Sequence, residues 1–134
     1  MIDVPQSIID MVNAPNRMGV LCTVDPDGKP NVAYFGSPRF RSDKTLSLGL
    51  MGGRTLNNLK SNPNAVFFCI ESSPVTFTTP ACRIYLEVQK IETEGELLDQ
   101  IRVEVAEHVN ADAAKMISSA IAFNVTEIRN LVDM

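Results

Sequence analysis

Apolar residues in this chain come in short runs divided by turn-forming residues, and that spacing admits few folds. Met18–Val24 is one such run. Asp25-Pro26-Asp27-Gly28 follows it, with Asp, Pro and Gly at the first, second and fourth places of a type I turn. Residues 31–40 then read as the return strand of a hairpin, and Pro38 marks a bend or an edge in it. Residues 45–50 alternate, with Leu46, Leu48 and Leu50 on one face and Thr45, Ser47 and Gly49 on the other, which predicts a half-buried strand. Residues 65–70 are continuously apolar and read as a strand buried on both faces. Residues 72–80, rich in Ser, Thr and Pro, read as a loop with an extended piece at Val75-Thr76-Phe77. Residues 83–93 alternate again, and residues 120–128 read as a last strand.

Helical patterns sit between these runs. Asp3 is placed to cap a helix carrying Ile8, Ile9 and Val12, with Pro5 in its first turn. Thr55 is placed to cap a short helix over residues 56–60. Residues 96–109 put Leu97, Leu98, Ile101 and Val105 on one stripe, and residues 112–117 predict another short helix. The sum is a mainly β chain of six strands, mostly antiparallel because their connections are short. It reads as one domain over residues 1–134, a small closed or nearly closed β-barrel with flanking helices.

Composition narrows the function. The chain has 134 residues, 45 % of them hydrophobic, enough for a real core. Its net charge of −4 and the lack of a basic cluster argue against nucleic acid as a partner. No apolar run reaches the roughly 18–20 residues that span a bilayer, so no membrane partner is expected. The start of the chain has no basic segment followed by an apolar one, so it does not read as a secretory signal. Cys22, Cys69 and Cys82 are an odd number without C-x-x-C spacing, which fits free thiols in the cytoplasm and no metal site. Cys22 and Cys69 lie in apolar strands as core residues, whereas Cys82 borders the polar loop and is the thiol expected to react. The single histidine, His108, reads as a solvent-facing residue at a helix end.

The segment with chemical content is Leu48-Gly49-Leu50-Met51-Gly52-Gly53-Arg54-Thr55-Leu56-Asn57-Asn58. A strand runs into two glycines, a cation, a hydroxyl and a helix. A helix N-terminus leaves N–H groups unpaired and carries partial positive charge. Arg54 adds a forked, charged donor and Thr55 a hydroxyl, so the turn suits one phosphate monoester. The same residues also suit a plain tight turn, with Thr55 as a cap and Arg54 as a surface charge. Neither the Gly-Lys-Ser/Thr ending of a Walker loop nor a G-x-G-x-x-G fingerprint is present.

From Gly19 to Ile70 the chain resembles the FMN-binding split-barrel family related to pyridoxamine 5′-phosphate oxidase. The resemblance rests on an ordered series: Asp27-Gly28-Lys29-Pro30-Asn31 opening the second strand, the alternating third strand, Arg54-Thr55, Asn58-Leu59, and Asn62-Pro63-Asn64-Ala65 leading into an apolar strand. It implies FMN as cofactor, with Arg54 and Thr55 on the phosphate and Asn58 supporting that loop or touching the ligand. Gly49, Leu50, Met51 and Gly52 would follow the ribityl chain and ring, Gly53 with Gly52 would let the backbone come close to the ligand, and Phe35, Gly36 and Ser37 would lie against the isoalloxazine. It further implies a flavin-dependent oxidoreductase, working as a homodimer with flavin at the subunit interface and meeting a small-molecule or protein redox partner. The partner subunit's contacts would come from the loop over residues 72–82 and from near Asn124. A non-catalytic FMN carrier or electron-transfer module, and a haem or deazaflavin binder on the same barrel, stand as alternatives. Arg39 and Arg41 share a strand face and would either sit near the flavin's N1–C2 edge or guard a strand edge against aggregation.

Overall fold

The computed structural model describes residues 2–71 and 75–132. The elements run α1 (Gln6–Asn13), β1 (Met18–Val24), β2 (Pro30–Tyr34), β3 (Arg39–Phe40), β4 (Leu46–Leu50), α2 (Arg54–Ser61), β5 (Asn64–Ile70), β6 (Ala81–Glu92), α3 (Glu96–His108), α4 (Ala111–Met116) and β7 (Ser119–Asn130). The seven strands form one antiparallel sheet in the order β2-β1-β5-β6-β7-β4-β3. The sheet curls into a split barrel whose two edges, β2 and β3, are joined by residues 35–38.

The β1–β2 hairpin closes as its residues suggest. Gly28 N–H donates to Asp25 O, and Asp25 Oδ1 accepts from Asp27 N–H and Lys29 N–H at 2.9 and 2.8 Å. The return strand is shorter than predicted. Pro38 has no N–H to offer a ladder, and the expected strand over residues 31–40 divides into β2 and the separate β3. That division makes seven strands where six were expected. Val75-Thr76-Phe77 forms no strand; a turn closes there with Thr79 N–H on Thr76 O. Pro5, not Asp3, occupies the cap position of α1, with no side-chain capping bond.

Two strands exchange the environments read from their patterns. β4 is buried at all five positions, where a half-buried strand was expected. Leu46, Leu48 and Leu50 enter the barrel core, while Ser47 and Gly49 face α3 and α4. A Cβ on Gly49 would come within 2.7 Å of Ile101 Cγ2 and 3.0 Å of Ile117 Cγ2, so only hydrogen fits there. β5, expected to be buried on both faces, instead keeps Val66 and Phe68 half-exposed on the outside. The core is therefore double. The barrel interior holds Leu21, Phe67, Ile84, Leu86, Phe123 and Val125. A smaller cluster of Leu98, Ile101, Ile117 and Ala120 packs α3 and α4 on the other side of β4.

Gly19 and Phe67 are matched within the larger core. A Cβ at position 19 would lie 2.3 Å from Phe67 Cζ. Gly19→Ala is expected to destabilise the protein by about 1–3 kcal/mol through overpacking, read as a lower urea midpoint with an unchanged slope. Combining it with Phe67→Leu is expected to cost less than the two single changes summed.

Candidate functional site

A cleft of about 1080 Å³ opens beside β4. Its walls come from the end of α1, the corner between β2 and β3, the end of β4 with the start of α2, and α3. Phe35, Gly36, Ser37, Gly49, Leu50, Met51, Gly52, Arg54 and Thr55, separate in sequence, all line it. Asn58 and Gly53 do not. Asn58 is 3 % exposed, and its Nδ2 donates to Thr23 Oγ1 at 3.0 Å, tying α2 to β1 behind the cleft. Gly53 is the cap residue of α2.

The α2 start has an electrostatic character of its own. Gly52 and Gly53 adopt φ of 102° and 97°, and open space surrounds both Cβ positions. The glycines are thus required by backbone conformation rather than by crowding. No side chain caps the helix, and its first turn has no acidic residue. The first N–H with an acceptor is that of Asn57, which donates to Gly53 O at 3.1 Å, and among the described residues the earlier N–H groups have none. Thr55 lies inside the first turn and is buried, so it is not the cap that its type suggested. Arg54 is exposed at the cleft mouth and, among the described residues, has no acidic or hydrogen-bonding partner. These are the features of an anion site.

The opposite wall is held by Arg17, a residue with no marked signal in the sequence. The residue as a whole is 7 % exposed. Nε donates to Val12 O at 2.9 Å, Nη1 to Phe35 O at 3.3 Å, and Nη2 to Gly36 O at 3.3 Å and Pro38 O at 2.7 Å. The guanidinium also lies 5.4 Å from the centre of the Phe67 ring. Burial pushes its pKa down, and the neighbouring Cys69 and Tyr34 oppose that shift; an arginine stays charged under these conditions. Asn13 completes the join, pairing with both the N–H and the carbonyl of Phe40 at 2.8 and 3.2 Å.

α3 forms the third wall through Ile101, Glu104, Val105, His108 and Val109. Arg41 fixes it in place. The guanidinium makes two 2.7 Å bonds to the Glu104 carboxylate, and Nε donates to Ser47 Oγ at 2.7 Å. Arg41 is thus an internal tie between sheet and helix. Arg39 instead lines the cleft, exposed, and among the described residues its side chain has no partner. His108 is exposed but lines the same cleft, which its helix-end position alone did not reveal.

The remaining expected contacts lie elsewhere. Asn124 accepts a hydrogen bond from Gln89 at 3.2 Å and does not line the cleft. Residues 72–74 of the expected partner-contact loop fall outside the described residues. Cys82 is buried rather than bordering solvent, and it faces Cys69 across the β5–β6 ladder. Its hydrogen bond with Cys69, and then burial, hold the Cys82 thiol well above its usual pKa. It is therefore an unreactive thiol, contrary to its place in the sequence. Among the described residues no cluster of His, Cys, Asp and Glu is arranged to hold a metal ion, and no helix is long and apolar enough to cross a membrane.

Split barrel and cleft together define a class of protein, and comparison with known proteins identifies the family. A family profile described as pyridoxamine 5′-phosphate oxidase matches residues 9–131, and the chain belongs to this family of FMN-binding split barrels. Solved structures share the fold. An FMN-binding protein from Syntrophomonas wolfei is 21 % identical with a TM-score of 0.84, over 96 % of this chain and 86 % of that one. An F420 reductase is 19 % identical with a TM-score of 0.71, over 94 % and 98 %. HutZ, a heme storage protein from Vibrio cholerae, is 18 % identical with a TM-score of 0.63, over 96 % and 95 %. No curated protein matches the sequence.

Arg17→Met keeps the bulk of the side chain and removes every donor. It is expected to destabilise the protein by about 3 kcal/mol, because buried carbonyls lose a charged partner. Amide exchange measured across the chain should speed up most at residues 35–40.

Proposed function

We propose that this protein binds FMN in the cleft and acts as a flavin-dependent oxidoreductase, the whole chain serving as one FMN-binding domain. The observation that carries the reading is the pairing of Arg54, without a partner among the described residues, with the uncapped N-terminus of α2 beside the cleft. The FMN phosphate is assigned to Arg54, Thr55 and the first-turn N–H groups. Gly49, Leu50, Met51 and Gly52 border the ribityl chain. Phe35, Gly36 and Ser37, held by Arg17, border the isoalloxazine. Gly53 sets the turn, and Asn58 supports it from behind. When bound, FMN supplies the redox chemistry, and the protein supplies binding, orientation and exclusion of water. The absence of a membrane-spanning helix among the described residues is consistent with work in the cytoplasm.

A second reading has one specific observation behind it. His108, the only histidine of the sequence, lines the cleft and offers a nitrogen ligand to a haem iron. The absorption spectrum of the protein titrated with each cofactor separates the two readings. A deazaflavin mononucleotide shares the phosphate argument and is distinguished from FMN by relative affinity.

Proteins of this family commonly form dimers. The outer face of β1, β2 and β5 suits that arrangement. Cross-strand rows there read Val32–Cys22–Val66–Tyr85 and Tyr34–Val20–Phe68, the second bounded by Arg83 on β6, with Val32 and Tyr34 61 % and 63 % exposed. A patch of this kind marks an interaction surface. Because Val32 and Tyr34 also line the cleft, a second copy packed on this face would complete the flavin site.

Arg54→Ala is expected to weaken FMN binding by about 1.5–3 kcal/mol, the range for a charged hydrogen bond, and to leave riboflavin binding nearly unchanged. Fluorescence titration with both ligands checks this, and equal losses would contradict the phosphate assignment. Tyr34→Glu is expected to convert a dimer into a monomer by light scattering and to weaken FMN binding with it. A wild-type monomer that still binds FMN at micromolar concentration would refute the shared site.

A further inference from the structure

The cleft is lined by two arginines without partners among the described residues, and the phosphate assignment uses only one of them. Four charged residues line it: Arg17, Arg39, Arg54 and Glu104. Arg17 is engaged by main-chain carbonyls, and Glu104 is held by Arg41. Arg39 and Arg54 remain without partners among the described residues, in a chain whose net charge is −4. An uncompensated positive cleft in an acidic protein selects anions.

The two arginines stand on different elements of the fold, β3 and the start of α2. Arg39 is paired with Ser47 in the β3–β4 ladder. Leu50, at the far end of β4, is three residues further on, roughly 10 Å of extended strand. The turn of Met51, Gly52 and Gly53 then carries the chain on to Arg54.

The space beside Arg39 has apolar walls. Phe40 points into the core, so Arg39 and Arg41 lie on the opposite side of their strand, where Arg41 reaches Glu104 on α3. Val105, His108 and Val109 follow Glu104 around the C-terminal end of that helix and line the same cleft.

From this we infer that Arg39 forms a second anion subsite, which takes the acidic group of a small organic anion whose apolar body lies against Val105 and Val109. This rests on the flavin reading for what lies next to it, since the anion would be the redox substrate held beside FMN. The shared chemistry is a carboxylate or phosphate on a compact apolar body.

The test uses benzoate, phenyl phosphate and neutral benzamide as probes, on the full-length protein both loaded with FMN and flavin-free. Dissociation constants come from calorimetry and from ligand-observed NMR. At least one anion should bind tenfold or more tightly than benzamide, and the tighter of the two names the acidic group. In the FMN-loaded protein, where the α2 site is filled, Arg39→Gln should abolish that preference, with FMN affinity unchanged within twofold; Arg39→Lys should keep most of it. In flavin-free protein the part of the preference that depends on Arg39 should survive Arg54→Ala, which lowers FMN affinity. Equal binding of all three probes, or an anion preference of the FMN-loaded protein that survives Arg39→Gln, would overturn the subsite. So would a loss of FMN affinity in Arg39→Gln as large as that in Arg54→Ala, which would place Arg39 on the flavin itself. An Arg39-dependent preference in protein that fails to bind FMN would keep the subsite and reject the flavin reading.

Discussion

The guanidinium of Arg17 is the contact on which the cleft depends. The sheet has two edges, and the chain must cross from one to the other through residues 35–38, where no ladder accepts its carbonyls. Buried main-chain carbonyls without partners are costly. Arg17 satisfies three carbonyls of that corner and one at the end of α1 with a single planar group, and the Phe67 ring backs it. The requirement reaches further inward. Phe67 needs the space that Gly19 leaves, so a glycine in β1, a ring in β5 and an arginine ahead of β1 form one packed unit. Its outward product is a fixed wall of the same cleft that Arg54 lines.

β4 supplies the other half of the geometry. A strand covered on both faces is rigid, and its small residues are what allow the covering. Gly49 admits Ile101 and Ile117, and Ser47 admits the Arg41–Glu104 pair. α3 thereby lies close enough to the sheet to wall the cleft, and β4 delivers the Gly52-Gly53 turn at its end. The glycine turn ahead of α2 and the apolar wall are set by the same five-residue strand.

Much of the ladder was legible because period-two alternation and turn chemistry act locally. The Asp25–Gly28 turn, β6, β7 and the stripe of α3 follow from residues within a few positions of one another. Degree of burial was less legible. The Thr45, Ser47 and Gly49 face looks polar, and only contact with helices fifty residues later makes it interior. Residues 65–70 look interior throughout, yet Val66 and Phe68 on the outer face of β5 stay half-exposed. Cys82 shows the same limit: the loop beside it is polar, but its strand position turns the thiol inward against Cys69.

At the site itself, the sequence determined the Gly52-Gly53-Arg54-Thr55 turn, because positive φ, a helix start and a cation are written in adjacent residues. It also determined the order of strands that places this turn in a family. Tertiary structure alone decided which residues face the turn across the cleft. Arg17 bonds to carbonyls, and carbonyls have no identity in a sequence. Arg39 and Arg41 are two residues apart and chemically alike. One is neutralised by Glu104 and the other has no partner among the described residues, because charge compensation depends on where a distant helix packs.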